Sequence, residues 1–222
     1  MANCEKIKTD RDVRGLIAHN NREIEQNEKS GANYKLIERQ QHEYDSYKQR
    51  IKAVYAMKRA DLVKAISWVV TQPKGYAGDS QQFFKIVSEF MCEHFGADNV
   101  IQGWVHLDEE TPHAHFLIVP VTEDKKRHVE SGLKLNASEY TSRKAYRNFH
   151  PAMQRYLTEH GIMANINTGI TREKGNRSIS ELKRETELEE LKNRINTLEK
   201  EVEELRSREQ TRATERTWGN TW

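Results

Sequence analysis

At 222 residues, with 36 Lys and Arg against 34 Asp and Glu, the chain carries a net charge of +2. No global field marks it as a partner of nucleic acid, so any such surface must be local. The length suits one domain with a real core plus an appendage. Cys4 and Cys92 cannot build a disulfide framework, and no run approaches the ~20 apolar residues of a membrane span. The N-terminus lacks the apolar stretch of a signal peptide, so a cytoplasmic protein is expected.

Residues 2–8 read as a short first strand. His19 stands just before a polar, helical-looking stretch and by itself reads as a surface histidine. Asn33 and Tyr34 follow a polar loop. Residues 38–60 space Tyr44, Tyr47, Ile51, Val54 and Tyr55 for a helix, with Arg50, Lys52, Lys58 and Arg59 on a basic face. Ala65 to Thr71 reads as a core strand, ended by Gln72-Pro73-Lys74-Gly75. Asp79 or Ser80 then caps a helix to His94, with Phe83, Phe84, Val87, Phe90, Met91 and Phe95 turned inward and Gly96 as its stop. His94, at the C-terminal end, reads as a structural residue whose charged form the helix dipole favours.

Trp104 to Pro120, W-V-H-L-D-E-E-T-P-H-A-H-F-L-I-V-P, carries the chemistry. Gln102 to Leu107 is one strand, Asp108 to Pro112 is turn chemistry, and the run Phe116 to Val119 is a mostly buried second strand. His113 and His115 are two apart, so on a strand both face one way. A hairpin brings His106 beside them, ~5 Å across the ladder. Three converging imidazoles suit a divalent transition metal with open coordination positions. Of Asp108 and Glu109, one is expected to hold a histidine ligand by its second ring nitrogen, and the other to accept a proton.

After the hairpin, T-E-D-K-K-R-H is a turn with a basic end. Ser138 is the expected cap of a helix bearing Arg143, Lys144, Arg147 and Arg155, with Phe149, Met153, Tyr156 and Leu157 inward. Pro151 should kink or restart it, and Gly161 should close it. Residues 162–170 suggest a last short strand, and Lys174-Gly175-Asn176 a linker. In the tail, Leu188, Ile195 and Val202 alternate with Leu191, Leu198 and Leu205 at 3-4-3-4-3 spacing. That heptad favours a two-stranded parallel coil and hence a homodimer; a single amphipathic helix folded back on the domain is the alternative. The organisation read from this is a domain at 1–175, a charged helix at 176–208 and a disordered tail at 209–222, where Trp218 and Trp222 have no evident core to join.

The segment H-L-D-E-E-T-P-H-A-H resembles the metal-binding motif of the HUH endonuclease superfamily. Written H-x-D-E-x-x-P-H-x-H, it is similar to that of the Mob/Pre plasmid-mobilisation relaxases; the usual bulky residue between the paired histidines is Ala114 here. His19-Asn20-Asn21-Arg22 matches the family's H-N-x-R motif, Asn33-Tyr34 its N-Y element, and Arg59-Ala60-Asp61 an R-x-D element. The resemblance implies an α+β fold, a central antiparallel sheet packed against helices with the histidine pair on a central strand. It implies a relaxase, which nicks one DNA strand by transesterification at a transfer origin to mobilise a plasmid or mobile element. His106, His113 and His115 would hold Mn²⁺ or Mg²⁺. His19 would attack the scissile phosphate and keep the 5′ end, with Asp108 and Glu109 in support and Glu109 favoured for contact with the nucleophile. Arg22, Asn33, Tyr34 and Arg59 would meet the single-stranded or supercoiled origin DNA.

Tyr34, with Tyr44 and Tyr47 behind it, is the rival nucleophile. A rolling-circle replication initiator of the same superfamily would use a tyrosine after the hairpin, where Tyr140, Tyr146 and Tyr156 lie. Two other classes remain: a non-catalytic dimeric DNA-binding repressor with a structural zinc, and a three-histidine zinc hydrolase of small substrates.

Overall fold

The computed structural model describes residues 2–23 and 30–166, with 184, 187, 188, 191–203, 205 and 206 of the C-terminal stretch. The chain divides into two compact units, Met1–Thr168 and Gly169–Trp222. The first is built on β1 (Ala2–Ile7), β2 (Tyr34–Lys35), β3 (Ala65–Thr71), β4 (Val100–His106) and β5 (His113–Ile118). They form one antiparallel sheet in the order β1-β3-β5-β4-β2. Every residue of β5, the middle strand, is buried, because helices cover its apolar run from both sides.

Strand parity divides the core in two. Trp68, Val70, Ala114, Phe116 and Ile118 turn toward α3 (Ser80–Phe95) and α5 (Arg143–Glu159), meeting Phe83, Phe84, Val87, Phe149, Met153 and Leu157. The Trp68 and Phe149 rings stack at 3.9 Å, and burying one such side chain stabilises by about 1.5–3 kcal/mol. Ile7, Ala65 and Leu117 turn the other way, toward Val13 and Ile17 of α1 (Asp10–Asn20) and Tyr47 of α2 (Glu43–Lys52). On β4, Gly103 lets the chain after β2 pass close: a Cβ there would stand 2.8 Å from Ile37 Cγ1.

β1, β3, α3 and the β4–β5 hairpin lie where the sequence indicates, with Asp79 capping α3 through the Gln81 N–H and Gly96 ending it at φ 85°. Several expectations need correction. His19 lies in the last turn of a helix, not ahead of one. The helix expected over 38–60 is only α2, because beyond Ala53 the backbone is taken by another partner. Tyr55 donates to the Leu133 carbonyl and accepts from the Leu135 N–H. Leu133–Leu135 is β7, which pairs with β6 (Val121–Glu123) in a small hairpin joined through 124–132, so the turn expected from Thr122 begins only after Glu123. Ser138 lies within a short helix, α4 (Ala137–Thr141), and Ser142 caps α5 instead, through the Ala145 N–H. Pro151 sits inside α5 without ending it; the buried apolar face holds the helix despite the lost hydrogen bond. His94 rests on the Phe90, Phe95 and Phe149 rings, and desolvation lowers its pKa rather than the dipole raising it.

Of the strand expected over 162–170, residues 162–166 form no ladder and 167–170 lie outside the described residues. Gln154 takes the place of a neighbouring strand, donating to the Ala164 carbonyl and accepting from the Ile166 N–H, both at 2.8 Å. The described positions from 184 to 206 are helical, and the six heptad residues are 42% to 63% exposed. The expected linker at 174–176 and the tail at 209–222 lie outside the described residues. No helix among the described residues is long and apolar enough to cross a membrane.

Asp10 ties α1 to α2 and to the entry of β3. It accepts from Lys64 Nζ at 2.8 Å, Tyr47 Oη at 2.9 Å and Lys48 Nζ at 3.0 Å. Lys64 above all, with Lys48 and Tyr47, holds its carboxyl well below the usual range against the opposing effect of burial. A depressed carboxylate stabilises the fold fully above its unfolded pKa of ~3.9, and the effect fades as pH falls below that. Asp10→Asn should therefore lower the unfolding free energy by about 1 kcal/mol at neutral pH. In denaturant titrations the gap from wild type should narrow below about pH 4.

Candidate active site

Antiparallel register puts His106 directly opposite His113, and Trp104 opposite His115. His113 and His115 share the parity of Leu117, so the three histidines lie on the α1 side of the sheet. One ligating nitrogen from each falls within 4.8 Å of the others. The expected hairpin and its histidine triad are thus formed.

Backbone carbonyls fix two of the rings. His106 Nε2 lies 2.9 Å from the Asn20 oxygen, and His113 Nδ1 lies 2.8 Å from the Thr111 oxygen. A carbonyl can only accept, so those nitrogens carry the hydrogens and leave His106 Nδ1 and His113 Nε2 as lone pairs. The carboxylate expected behind a ligand is a carbonyl in both cases. His106 Nδ1 and both nitrogens of His115 are buried without a hydrogen-bond partner. Burial, then the neighbouring His106, His113 and His19, lowers the His115 pKa to about 2; burial chiefly lowers that of His106. Neutral, buried, unsatisfied imidazoles are what a divalent cation completes. The triad can hold such an ion.

The acids of the turn converge on Arg22, which follows α1 in a left-handed conformation at φ 55°. Its Nη2 lies 2.8 Å from Asp108 Oδ1 and 2.6 Å from Glu109 Oε1. Burial alone would raise the Asp108 carboxyl, but hydrogen bonds from Arg22, Asn33 and Ser30 outweigh it and hold it well below the usual range. Glu109 is likewise lowered, with Arg22 overcoming burial, and its Oε2 stands 3.8 Å from His113 Nε2. The expected forked contact of Arg22 with a phosphate would compete with this double ion pair. The His19 ring lies over the triad, its centroid 5.8 Å from that of His115 and 6.1 Å from that of His106.

The plasmid recombination enzyme family, Mob/Pre, matches residues 1–186. The chain belongs to that family. A plasmid recombination enzyme of Lactiplantibacillus plantarum is 26% identical over 178 residues, 73% of this chain and 47% of the relative. A type 1 enzyme of Staphylococcus aureus is 27% identical over 219 residues, 89% of this chain and 53% of the relative. The chain spans about half the length of these relatives. Among solved structures, the Mn-bound MobM relaxase domain in complex with plasmid pMV158 oriT DNA is similar at a TM-score of 0.67 and 26% identity. That match covers 83% of this chain and 97% of the MobM domain.

In this Mob/Pre chain the rival tyrosines lie apart from the histidines. Tyr34, Tyr140, Tyr146 and Tyr156 pack into the α3–α5 side of the core, across the sheet from the triad. Burial pushes the Tyr34 and Tyr146 hydroxyls up to about 12. Tyr146 stacks on Trp68, and the Tyr140 hydroxyl donates to the Val121 carbonyl. Tyr47 donates to Asp10, and Tyr44 lies against Tyr47 and under Arg14. Asn33 supports the turn rather than projecting from it: its Oδ1 accepts from the Leu107 N–H at 2.8 Å. Arg59 forms an exposed pair with Asp61, in the connection that enters β3 at the end remote from His113. The triad and His19 come together; Arg59 and Tyr34 do not join them.

Asn20, Gln102 and Ser30 are site residues that sequence reasoning missed. A signal existed for Gln102, which precedes His106 by four residues and so shares its strand face. Because His115 has no hydrogen bond to lose, His115→Leu should leave the metal-free chain as stable as wild type or more so. The same substitution should abolish the rise in melting temperature that Mn²⁺ gives the wild type. Differential scanning calorimetry with and without Mn²⁺ checks both.

Proposed function

We propose that this chain is a plasmid-mobilisation relaxase, nicking one strand of origin DNA and keeping the 5′ phosphate on itself. The observation that carries the reading is His19 set edge-on to His115, ring centroids 5.8 Å apart, on the sheet face opposite Tyr34, Tyr140, Tyr146 and Tyr156. His106, His113 and His115 would hold a divalent cation, Mn²⁺ by analogy with the related relaxase structures, which would supply positive charge to the scissile phosphate. His19 attacks phosphorus through a neutral ring nitrogen, the bond to the 3′ oxygen breaks, and that oxygen takes up a proton as it leaves. The attacking ring sheds its remaining N–H proton, for which Glu109, the more exposed of the two turn acids, is the proposed acceptor. Reversal of the same displacement by the 3′-hydroxyl reseals the strand. Arg22 pairs with both carboxylates and offsets one of their two negative charges beside an anionic substrate.

The heptad helix extends the proposal to a parallel homodimer. Branched Ile195 and Val202 at a, with leucine at d, suit two strands. Flanking charges pair in register across such a dimer: Glu187 with Lys192, Arg194 with Glu199, and Glu201 with Arg206.

Supercoiled-plasmid nicking tests the reading, with candidate transfer origins supplied. Wild type with Mn²⁺ should yield open circles, chelator should stop it, and His19→Ala should slow it at least ~100-fold. Nicking that survives His19→Ala and stops on a tyrosine substitution would favour the replication initiator. Tight metal-dependent binding without any nicking would favour the repressor.

A further inference from the structure

The last turn of α1 carries His19, and a pair of buried amides joins that turn to the sheet. Gln102 is 1% exposed and Asn20 is fully buried. Gln102 Oε1 accepts from Asn20 Nδ2 at 2.7 Å, and Gln102 Nε2 donates to Asn21 Oδ1 at 2.8 Å. One side chain thus holds two consecutive residues, the two that directly follow His19. The Asn20 carbonyl in turn accepts from His106 Nε2. Gln102 and His106 stand on one face of β4, roughly 13 Å apart at the rise of a strand. The helix end is therefore fastened to β4 at two separate points, one an amide and the other a metal-binding imidazole. A single fastening would leave the turn free to pivot; two fix both its height and its rotation.

The chemistry of the position is specific. An apolar residue would fill the space but leave the buried Asn20 amide nitrogen and the half-buried Asn21 oxygen without their partner. A carboxylate would keep the acceptor facing Asn20 and lose the donor facing Asn21. Only an amide of this length serves both ends.

We infer that Gln102 is a positioning residue: its two-ended amide clasp on Asn20 and Asn21 sets where the His19 ring stands over the His106–His113–His115 face. Gln102 itself touches no reacting group. The consequence for rate rests on the relaxase reading; the consequence for the helix end does not.

Hydrogen exchange read by mass spectrometry, on the full chain with Mn²⁺, measures the helix end directly. The amides of Asn21, Arg22 and Glu23 donate to Ile17, His19 and Ala18 and report whether the turn is held. In Gln102→Met these amides should exchange at least ~10-fold faster while those of β5 stay unchanged. Nicking at saturating DNA should fall at least ~10-fold with KM for DNA within threefold, because the nucleophile is misplaced while the binding surface is intact. Gln102→Glu, keeping one end of the clasp, should fall between wild type and Gln102→Met in both readouts, and Asn21→Ala should reproduce part of the loss from the helix side. Unchanged exchange at residues 21–23 overturns the clasp. Faster exchange with an unchanged nicking rate, or with β5 loosened equally, overturns the positioning role. Faster exchange in a chain whose wild type shows no His19-dependent nicking leaves the clasp standing and removes the relaxase reading.

Discussion

Three imidazoles on one face of a buried strand pair are the constraint around which this fold is arranged. Left alone, His106 and His115 expose lone pairs to a dry interior with nothing to receive them. Such groups persist only where surrounding structure over-determines them or a cation completes them. Here the surroundings do the former: β5 is buried along its whole length, backbone carbonyls turn His106 and His113, and α1 closes over the top with His19. The same crowding that lowers the pKa of His115 keeps it in the form that ligates.

The second feature is the economy of charge beside the triad. The chain has almost no net charge, yet under the proposed function its site receives an anion. Asp108 and Glu109 would repel one, and Arg22 answers both with a single guanidinium end. The left-handed backbone of Arg22 follows α1, so the strain falls where the helix end meets the hairpin turn. Ser30 and Asn33 complete the hydrogen bonds to Asp108, making it a buried anchor of the turn, while Glu109 remains half in water.

Much of this was legible in the sequence where one local rule decides. Two-residue spacing put His113 and His115 on one face, and the Asp108–Pro112 turn brought His106 across to them. The aromatic spacing of α3, with Asp79 before it and Gly96 after, left little ambiguity. What was hidden depends on partners far away in the chain. Residues 53–60 have helical spacing, but the carbonyl and N–H of Tyr55 are claimed by β7, some 80 residues on. β6 and β7 are three residues each, too short for periodicity to register. Arg22 reads as a cation awaiting a phosphate because its acids lie 86 and 87 residues downstream. The Gln102–Asn20 contact spans 82 residues and involves only neutral amides, which carry no charge pattern to notice.

The central claim is that His19, not a tyrosine, joins DNA to protein. The bond itself distinguishes them. The adduct formed with Mn²⁺ on a single-stranded origin oligonucleotide can be trapped, digested with protease and sequenced by mass spectrometry. The account predicts a phosphoramidate on the peptide containing His19, labile in acid and stable in alkali. An acid-stable phosphodiester on Tyr34, Tyr140, Tyr146 or any other tyrosine would contradict it.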